Sequence, residues 1–357
     1  MKKNRQSFIT LLLALLLWSC RANLVSPRPP LTLTPQRDKI VDTSATASPE
    51  RTSISPLIPP TLNATAWPPV DEAILKLFDY DQNAPLDVQE HKVTPLTRYT
   101  HYDLSYASPM GGRVPAYLLV PDELTGPFAG IIVQHGMAGN KHSDLYFGRS
   151  LVATGAVVLM IDAPYARPEN RNRIPWPLTY TEVDRLDQIQ LMIDLRRGVD
   201  LLSTRADVDP ERLAYVGISY GAAMGGLFAG LETRIKAYGL MVGDGGLVAH
   251  HTTADGTFFA DIQPLSVEQQ EAWLALMEPI EPIRFIGRAA PAALFFQNAL
   301  HDELVSREDA LAYQAAGSEP KRIEWYDSNH GLPDQAFQDM VEWLEIQIGI
   351  DRSKFSR

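Results

Sequence analysis

Short apolar runs separated by longer amphipathic stretches organise the chain from residue 129 onward. Ala129 to Val133, Ala156 to Ile161, Leu213 to Val216 and Ala292 to Phe296 are continuous apolar runs, each bounded by Gly, Pro or Asp and each too short for a helix. Runs of that kind are the pattern of strands buried on both faces of a parallel sheet. Between them, Leu145 to Thr154, Val183 to Leu202 and Ser219 to Leu231 carry helical spacing, with Leu186, Ile189 and Ile193 on one side of the second. A further strand at Ala237 to Val242, a helix around Val267 to Met277, a helix at Arg307 to Ala316, a strand at Arg322 to Tyr326 and a last helix holding Phe337, Met340, Val341, Leu344 and Ile348 continue the alternation. Alternating strands and helices predict an α/β sheet with right-handed crossovers. Upstream, His101 to Tyr106 and Val114 to Val120 read as an antiparallel pair joined by the turn around Met110-Gly111-Gly112, and Asp71 to Phe78 as a first short helix.

The N-terminal fifth has a different texture. Lys2, Lys3 and Arg5 precede the apolar run Phe8 to Trp18, which is too short to span a bilayer and has the form of a signal-peptide core. Residues 1–19 are therefore expected to be a signal peptide. Residues 20–69 are dense in Pro, Thr and Ser and lack any period of a strand or helix, so they are expected to form a disordered stalk ahead of a domain at 70–350. The segment Leu17-Trp18-Ser19-Cys20 resembles the lipobox of bacterial lipoproteins. That resemblance implies lipid attachment at Cys20 and an extracytoplasmic protein anchored to the membrane through its N-terminus. The alternative is an ordinary signal peptide cut near Ser19 or Ala22, which would leave a secreted protein.

Composition narrows the partners. The formal net charge of −11 argues against nucleic acid and anionic membrane surfaces, which call for clustered Lys and Arg, and favours a neutral or cationic small substrate. With Cys20 the sole cysteine, no internal disulfide, thiolate metal cluster or buried catalytic cysteine can be built.

The chemistry-bearing motif is Gly217-Ile218-Ser219-Tyr220-Gly221, set between an apolar strand and a helix rich in small residues. A sharp turn there, with glycines where backbones approach closely, would project the Ser219 hydroxyl above the sheet as a nucleophile. Serine needs a base to take its proton, and the base needs a carboxylate to fix its tautomer. Of the eight histidines, His330 follows the last predicted strand, in the polar loop Asp327-Ser328-Asn329-His330-Gly331. Asp302 follows the strand at Ala292 to Phe296 in the same way. Asp244, just past another strand, is a rival for the acid.

From about Ala129 to Ile348 the chain resembles the α/β-hydrolase superfamily, nearest to its bacterial dienelactone-hydrolase-like and acetyl-xylan-esterase-like members. The matching motifs are Gln134-His135-Gly136-Met137 with Gly139-Asn140-Lys141, Asp162-Ala163-Pro164-Tyr165, the elbow at Ser219, Asp302 with Val305, and His330. The resemblance implies an α/β-hydrolase fold with a mostly parallel central sheet, helices on both faces and an inserted cap-like segment. It also implies an oxyanion hole from the backbone N–H groups of Met137 and Tyr220; the second follows independently from the unpaired N–H groups at a helix start. Where dienelactone hydrolases use cysteine this chain has Ser219, which points to ester hydrolysis of a small-molecule or glycan ester, with no cofactor.

Competing readings attach to particular residues. His250 and His251 with Asp244 suggest a metal site, but adjacent histidines point in different directions and no second carboxylate joins them, so none is expected. His135 is expected to hold its loop rather than act as a second base. The stretch Gly243 to Arg288, with Phe258-Phe259, Trp273 and Met277, is long enough to be a cap over the site or a peripheral helix packed into the core. Arg167 to Tyr180, with Trp176, is either a pocket rim or a surface loop. A peptidase or acyltransferase could use the same triad, and a surface binding protein could keep the fold without turnover.

Overall fold

The computed structural model describes residues 69–122, 125–174, 177–252 and 265–355. The expected signal peptide, the Cys20 anchor and all but the last residue of the expected stalk lie outside the described residues, as do Trp176 and Phe258-Phe259.

Nine strands form one sheet: β1 (Gln89–Pro95), β2 (Tyr99–Ala107), β3 (Arg113–Pro121), β4 (Phe128–Gln134), β5 (Ala156–Ile161), β6 (Val208–Ile218), β7 (Ala237–Met241), β8 (Ala293–Ala299) and β9 (Lys321–Tyr326). Their spatial order is β1-β2-β3-β5-β4-β6-β7-β8-β9. The first three pair antiparallel and β3 joins β5 antiparallel. From β5 to β9 every pairing is parallel. The sheet is mostly parallel; three of the four apolar runs fall within β4, β5 and β6, and the fourth enters β8 one residue in, at Ala293. β1 was not visible in the sequence pattern. It reads Gln-Glu-His-Lys-Val-Thr-Pro and is exposed at nearly every position, because an edge strand with Lys92 and Pro95 gains its place from ladder hydrogen bonds and not from burial.

Among the described residues eight α-helices accompany the sheet: α1 (Glu72–Lys76), α2 (Leu145–Ala153), α3 (Glu182–Ser203), α4 (Tyr220–Ala229), α5 (Leu247–Thr252), α6 (Val267–Met277), α7 (Arg307–Ala316) and α8 (Asp334–Ile348). Period-2 alternation along β6 divides the core: Leu213 and Tyr215 face α3 and α4, whereas Ala214 and Val216 face α2 and α8. None of the described helices is long and apolar enough to cross a membrane.

The long helix α3 departs from its hydrophobic pattern in an informative way. Ile189 and Ile193 are buried at 4% and 3% exposure, but Leu186 is 44% exposed. The inward stripe instead begins with Asp184, Asp187 and Gln188. Asp184 accepts from the Thr179 and Tyr180 N–H groups at 2.9 and 2.7 Å and from Trp273 Nε1 at 2.8 Å. Arg173 reaches Asp187 at 2.7 Å. Buried carboxylates are tolerated where such partners converge, and a hydropathy pattern cannot register them.

Trp273 is 1% exposed and stands edge-on to Tyr180 at 5.3 Å. With Met277 it belongs to the core that pins α6 to α3.

Candidate active site

The turn from β6 into α4 carries Ser219 at φ 54° and ψ −118°, a conformation costly for a residue with a Cβ. The surroundings impose it. Ser219 N donates to Met241 O on the neighbouring strand at 2.8 Å, and Ser219 O accepts from Ala222 N and Ala223 N at 2.8 and 2.9 Å. The flanking glycines are sterically required: a Cβ on Gly217 would fall 2.2 Å from Gly221 O, and one on Gly221 would fall 2.3 Å from Gln134 O. Tyr215 and Tyr313 brace the turn from below, their hydroxyls donating to Gly221 O at 2.6 Å and to Ala222 O at 3.1 Å.

His330 arrives from the loop after β9 with Nε2 2.9 Å from Ser219 Oγ. Its Nδ1 faces both oxygens of Asp302, at 2.9 and 3.0 Å. A carboxylate accepts only, so Nδ1 donates, and Nε2 is left as the acceptor for the Ser219 hydroxyl. Asp302 comes from the loop after β8 and also accepts from Leu304 N and Val305 N at 2.9 Å each, an Asx turn that locks its carboxylate. Burial pushes the Asp302 pKa up, but the hydrogen bond and charge of His330 and the two N–H donors outweigh it and leave the group below its ordinary value. The three side chains named from the sequence are thus brought together in one hydrogen-bonded line. Glu303, which the sequence did not single out, holds the base loop by accepting from His330 N at 3.1 Å.

The loop carrying Met137 lies against the nucleophile, since a Cβ on Gly136 would come 3.1 Å from Ser219 Cβ. His135 holds that loop, as its sequence position suggested. Its Nδ1 donates to Gly136 O at 2.8 Å and its Nε2 accepts from Ala163 N at 3.2 Å. Burial drives its pKa down to about 4, so the ring stays neutral and fixed in one tautomer. Tyr165 OH donates to Gly136 O at 3.2 Å. Tyr220 is the first residue of α4, and the N–H of that position has no intrahelical acceptor. Tyr220 thus follows Ser219 directly, and Met137 follows Gly136, the residue packed on Ser219.

Asp244 is engaged elsewhere: its Oδ2 lies 2.8 Å from His250 Nδ1 and its Oδ1 accepts from Gly246 N at 3.1 Å. The structure thus pairs each of the two candidate acids with a different histidine.

Strand order, crossover pattern and the strand-turn-helix elbow define the α/β-hydrolase fold. Solved structures with this architecture include an acetyl xylan esterase from Paenibacillus sp. R4, with a TM-score of 0.63 and 19% identity over 77% of this chain and 91% of that one. Acetyl xylan esterase 1 from Thermoanaerobacterium sp. JW/SL YS485 superposes with a TM-score of 0.63 at 17% identity, over 81% of this chain and 95% of its own. A Klebsiella pneumoniae protein described as a dienelactone hydrolase gives a TM-score of 0.50 at 17% identity, over 68% and 96% of the two chains. At such identities the likeness establishes the fold. Among curated proteins, YtaP of Bacillus subtilis (strain 168), described as a hydrolase, is 26% identical over 140 residues, or 35% of this chain. That match spans about half of the relative, 46% of its length. No protein-family profile matches the chain.

Proposed function

We propose that the protein is a serine hydrolase that cleaves carboxylic esters through an acyl-enzyme, with Ser219 as nucleophile, His330 as base and Asp302 as acid. The single observation that carries this is the unbroken line from Ser219 Oγ through His330 to Asp302, each link at hydrogen-bond distance. As Ser219 Oγ attacks the ester carbonyl carbon, its proton passes to His330 Nε2. Asp302 holds the ring in place and stabilises the imidazolium. The carbonyl oxygen becomes an oxyanion facing the N–H groups of Met137 and Tyr220. Collapse of the tetrahedral intermediate breaks the bond to the alcohol, which leaves with the proton from Nε2. A water then attacks the acyl-Ser219 ester while His330 takes its proton, and the carboxylic acid departs as Ser219 recovers its own.

Esterases among the structural neighbours agree with this choice of bond over an amide. A peptidase or acyltransferase would use the same groups and is separated by substrate alone. A small-molecule or glycan ester as substrate, and placement outside the cytoplasm on a Cys20 anchor, belong to the same proposal and rest on the sequence features described above.

The test is labelling and turnover together. A fluorophosphonate probe is expected to modify Ser219, and Ser219→Ala is expected to lose ester turnover by several orders of magnitude, leaving only the roughly 10³ to 10⁴ over water that binding and an oxyanion hole supply. Probe attachment at another serine, with activity kept in the variant, would overturn the assignment.

A further inference from the structure

Beside the Met137 loop the described residues line an open cleft of about 430 Å³, with Tyr117, Asn140, Lys141, His142, Asp162 and Arg171 among its walls. The cleft begins close to the nucleophile. Ala138 lines it, and Ala138 is two residues from Gly136, the residue packed on Ser219, so at most ~8 Å of backbone separates them. One short loop thus borders the cleft at Ala138 and packs on Ser219 at Gly136.

The polar groups of the cleft are already sorted by their partners. Lys141 Nζ is paired with Asp103 at 2.6 Å and sits over the Tyr117 ring at 4.4 Å, so its charge is largely engaged. Asp162 turns one oxygen to Lys141 N at 2.7 Å. Asn140 Oδ1 accepts from His142 N at 2.9 Å, which leaves the amide Nδ2 as a donor. Arg171 differs from these: it is exposed at the cleft wall and makes no ion pair among the described residues. Lys141 is offset by Asp103, and Asp162 stands in the same wall, so Arg171 is the cation of the cleft left without an ion-pair partner among the described residues. His101, edge-on to Tyr117 at 4.5 Å, is held below its ordinary pKa first by burial and then by the charge of Arg149, with Asp103 opposing.

We propose that this cleft is a subsite for a carboxylate borne by the ester substrate, with the Arg171 guanidinium as its principal ligand and the Asn140 amide as a second donor. The inference rests on the ester-hydrolase reading only for where the rest of the substrate lies. A guanidinium fork matches a carboxylate with two parallel hydrogen bonds, and at that range the local charge outweighs the net charge, which salt screens over roughly 8 Å. The acidic composition had favoured a neutral or cationic substrate; a carboxylate at the unpaired Arg171 would depart from that expectation.

Two measurements test the subsite. In the first, kcat/KM is compared for 4-acetoxybenzoate and its methyl ester, and for the homologous pair with one more methylene before the carboxylate. Arg171→Gln is expected to lower the charged-to-neutral ratio about tenfold or more in at least one pair, as loss of a charge-assisted hydrogen bond predicts. Arg171→Lys is expected to restore part of it, and added salt to lower the wild-type ratio. In the second, 4-hydroxybenzoate is titrated into Ser219→Ala by calorimetry, with and without Arg171→Gln. Binding that weakens with Arg171→Gln supports the subsite even if neither ester turns over and Ser219 takes no fluorophosphonate, a result that would count against the ester reading alone. Ratios unchanged by Arg171→Gln, together with 4-hydroxybenzoate binding that is absent or indifferent to Arg171, would overturn the proposal.

Discussion

Asp302 meets His330 with both carboxylate oxygens on Nδ1, at 2.9 and 3.0 Å, although the two residues stand on loops that leave different strands, β8 and β9. Parallel pairing of those strands, with Asn298 opposite Trp325 and Ala299 opposite Tyr326, brings both loops out at the same sheet edge. Asp244 leaves β7 at that edge too but is bonded to His250.

This arrangement ranks the two acids. Asparagine in place of the acid keeps the shape but favours the wrong tautomer of the base, which costs on the order of 10⁴ in turnover in Ser-His-Asp sites. Asp302→Asn is expected to lose turnover on that scale and Asp244→Asn to lose little. Both variants are assayed side by side on one activated ester, and the opposite ranking would reassign the acid to β7.

His135 predicts a pH dependence of stability. Its folded pKa of about 4 lies below the ordinary value of 6.5, so over that interval the unfolded chain binds a proton that the folded chain refuses. Its contribution is complete above the ordinary value and is lost as the pH falls toward 4, about 3 kcal/mol in all for a shift of this size. Glutamine at this position has no proton to refuse. The stability gap between wild type and His135→Gln should therefore narrow from neutral pH to about pH 4.5, read from denaturant midpoints. A gap that stays constant would show that the imidazole charges in the folded protein.

Trp273 is buried against Tyr180 and donates to Asp184 at 2.8 Å, so truncation removes both a core ring and the partner of a buried carboxylate. Trp273→Ala is expected to cost about 3 to 5 kcal/mol and to lower turnover of short and long acyl esters alike. Trp273→Phe keeps the ring and loses only the donor, so its cost should be smaller. A change in acyl-chain preference at unaltered stability would instead make Trp273 a wall of the substrate pocket.

For the proposed anchor the expectation concerns partitioning. One acyl chain holds a protein to a membrane only marginally, whereas two or more hold it stably. Cys20→Ala should therefore shift the protein from the membrane to the soluble fraction. Mass spectrometry that finds Cys20 unmodified on the mature protein would rule out the anchor.

By itself the sequence determined the alternation of strands and helices, the elbow at Ser219 and the order of Ser219, Asp302 and His330. These are local or periodic signals: a strand buried on both faces must be continuously apolar, and a strained turn between strand and helix must be flanked by glycine. The rest depended on which segments become neighbours. The choice between Asp302 and Asp244 was open along the chain because both follow strands, and only the strand order settles which one stands beside His330. The inward stripe of α3 was misplaced at Leu186 because Asp184 and Asp187 are buried by partners distant in sequence, Trp273 and Arg173. β1 escaped because an exposed edge strand carries no hydrophobic period. The unpaired Arg171 in its cleft was hidden by a net charge that is a sum over the whole chain, whereas the tertiary structure decides which charges meet a partner.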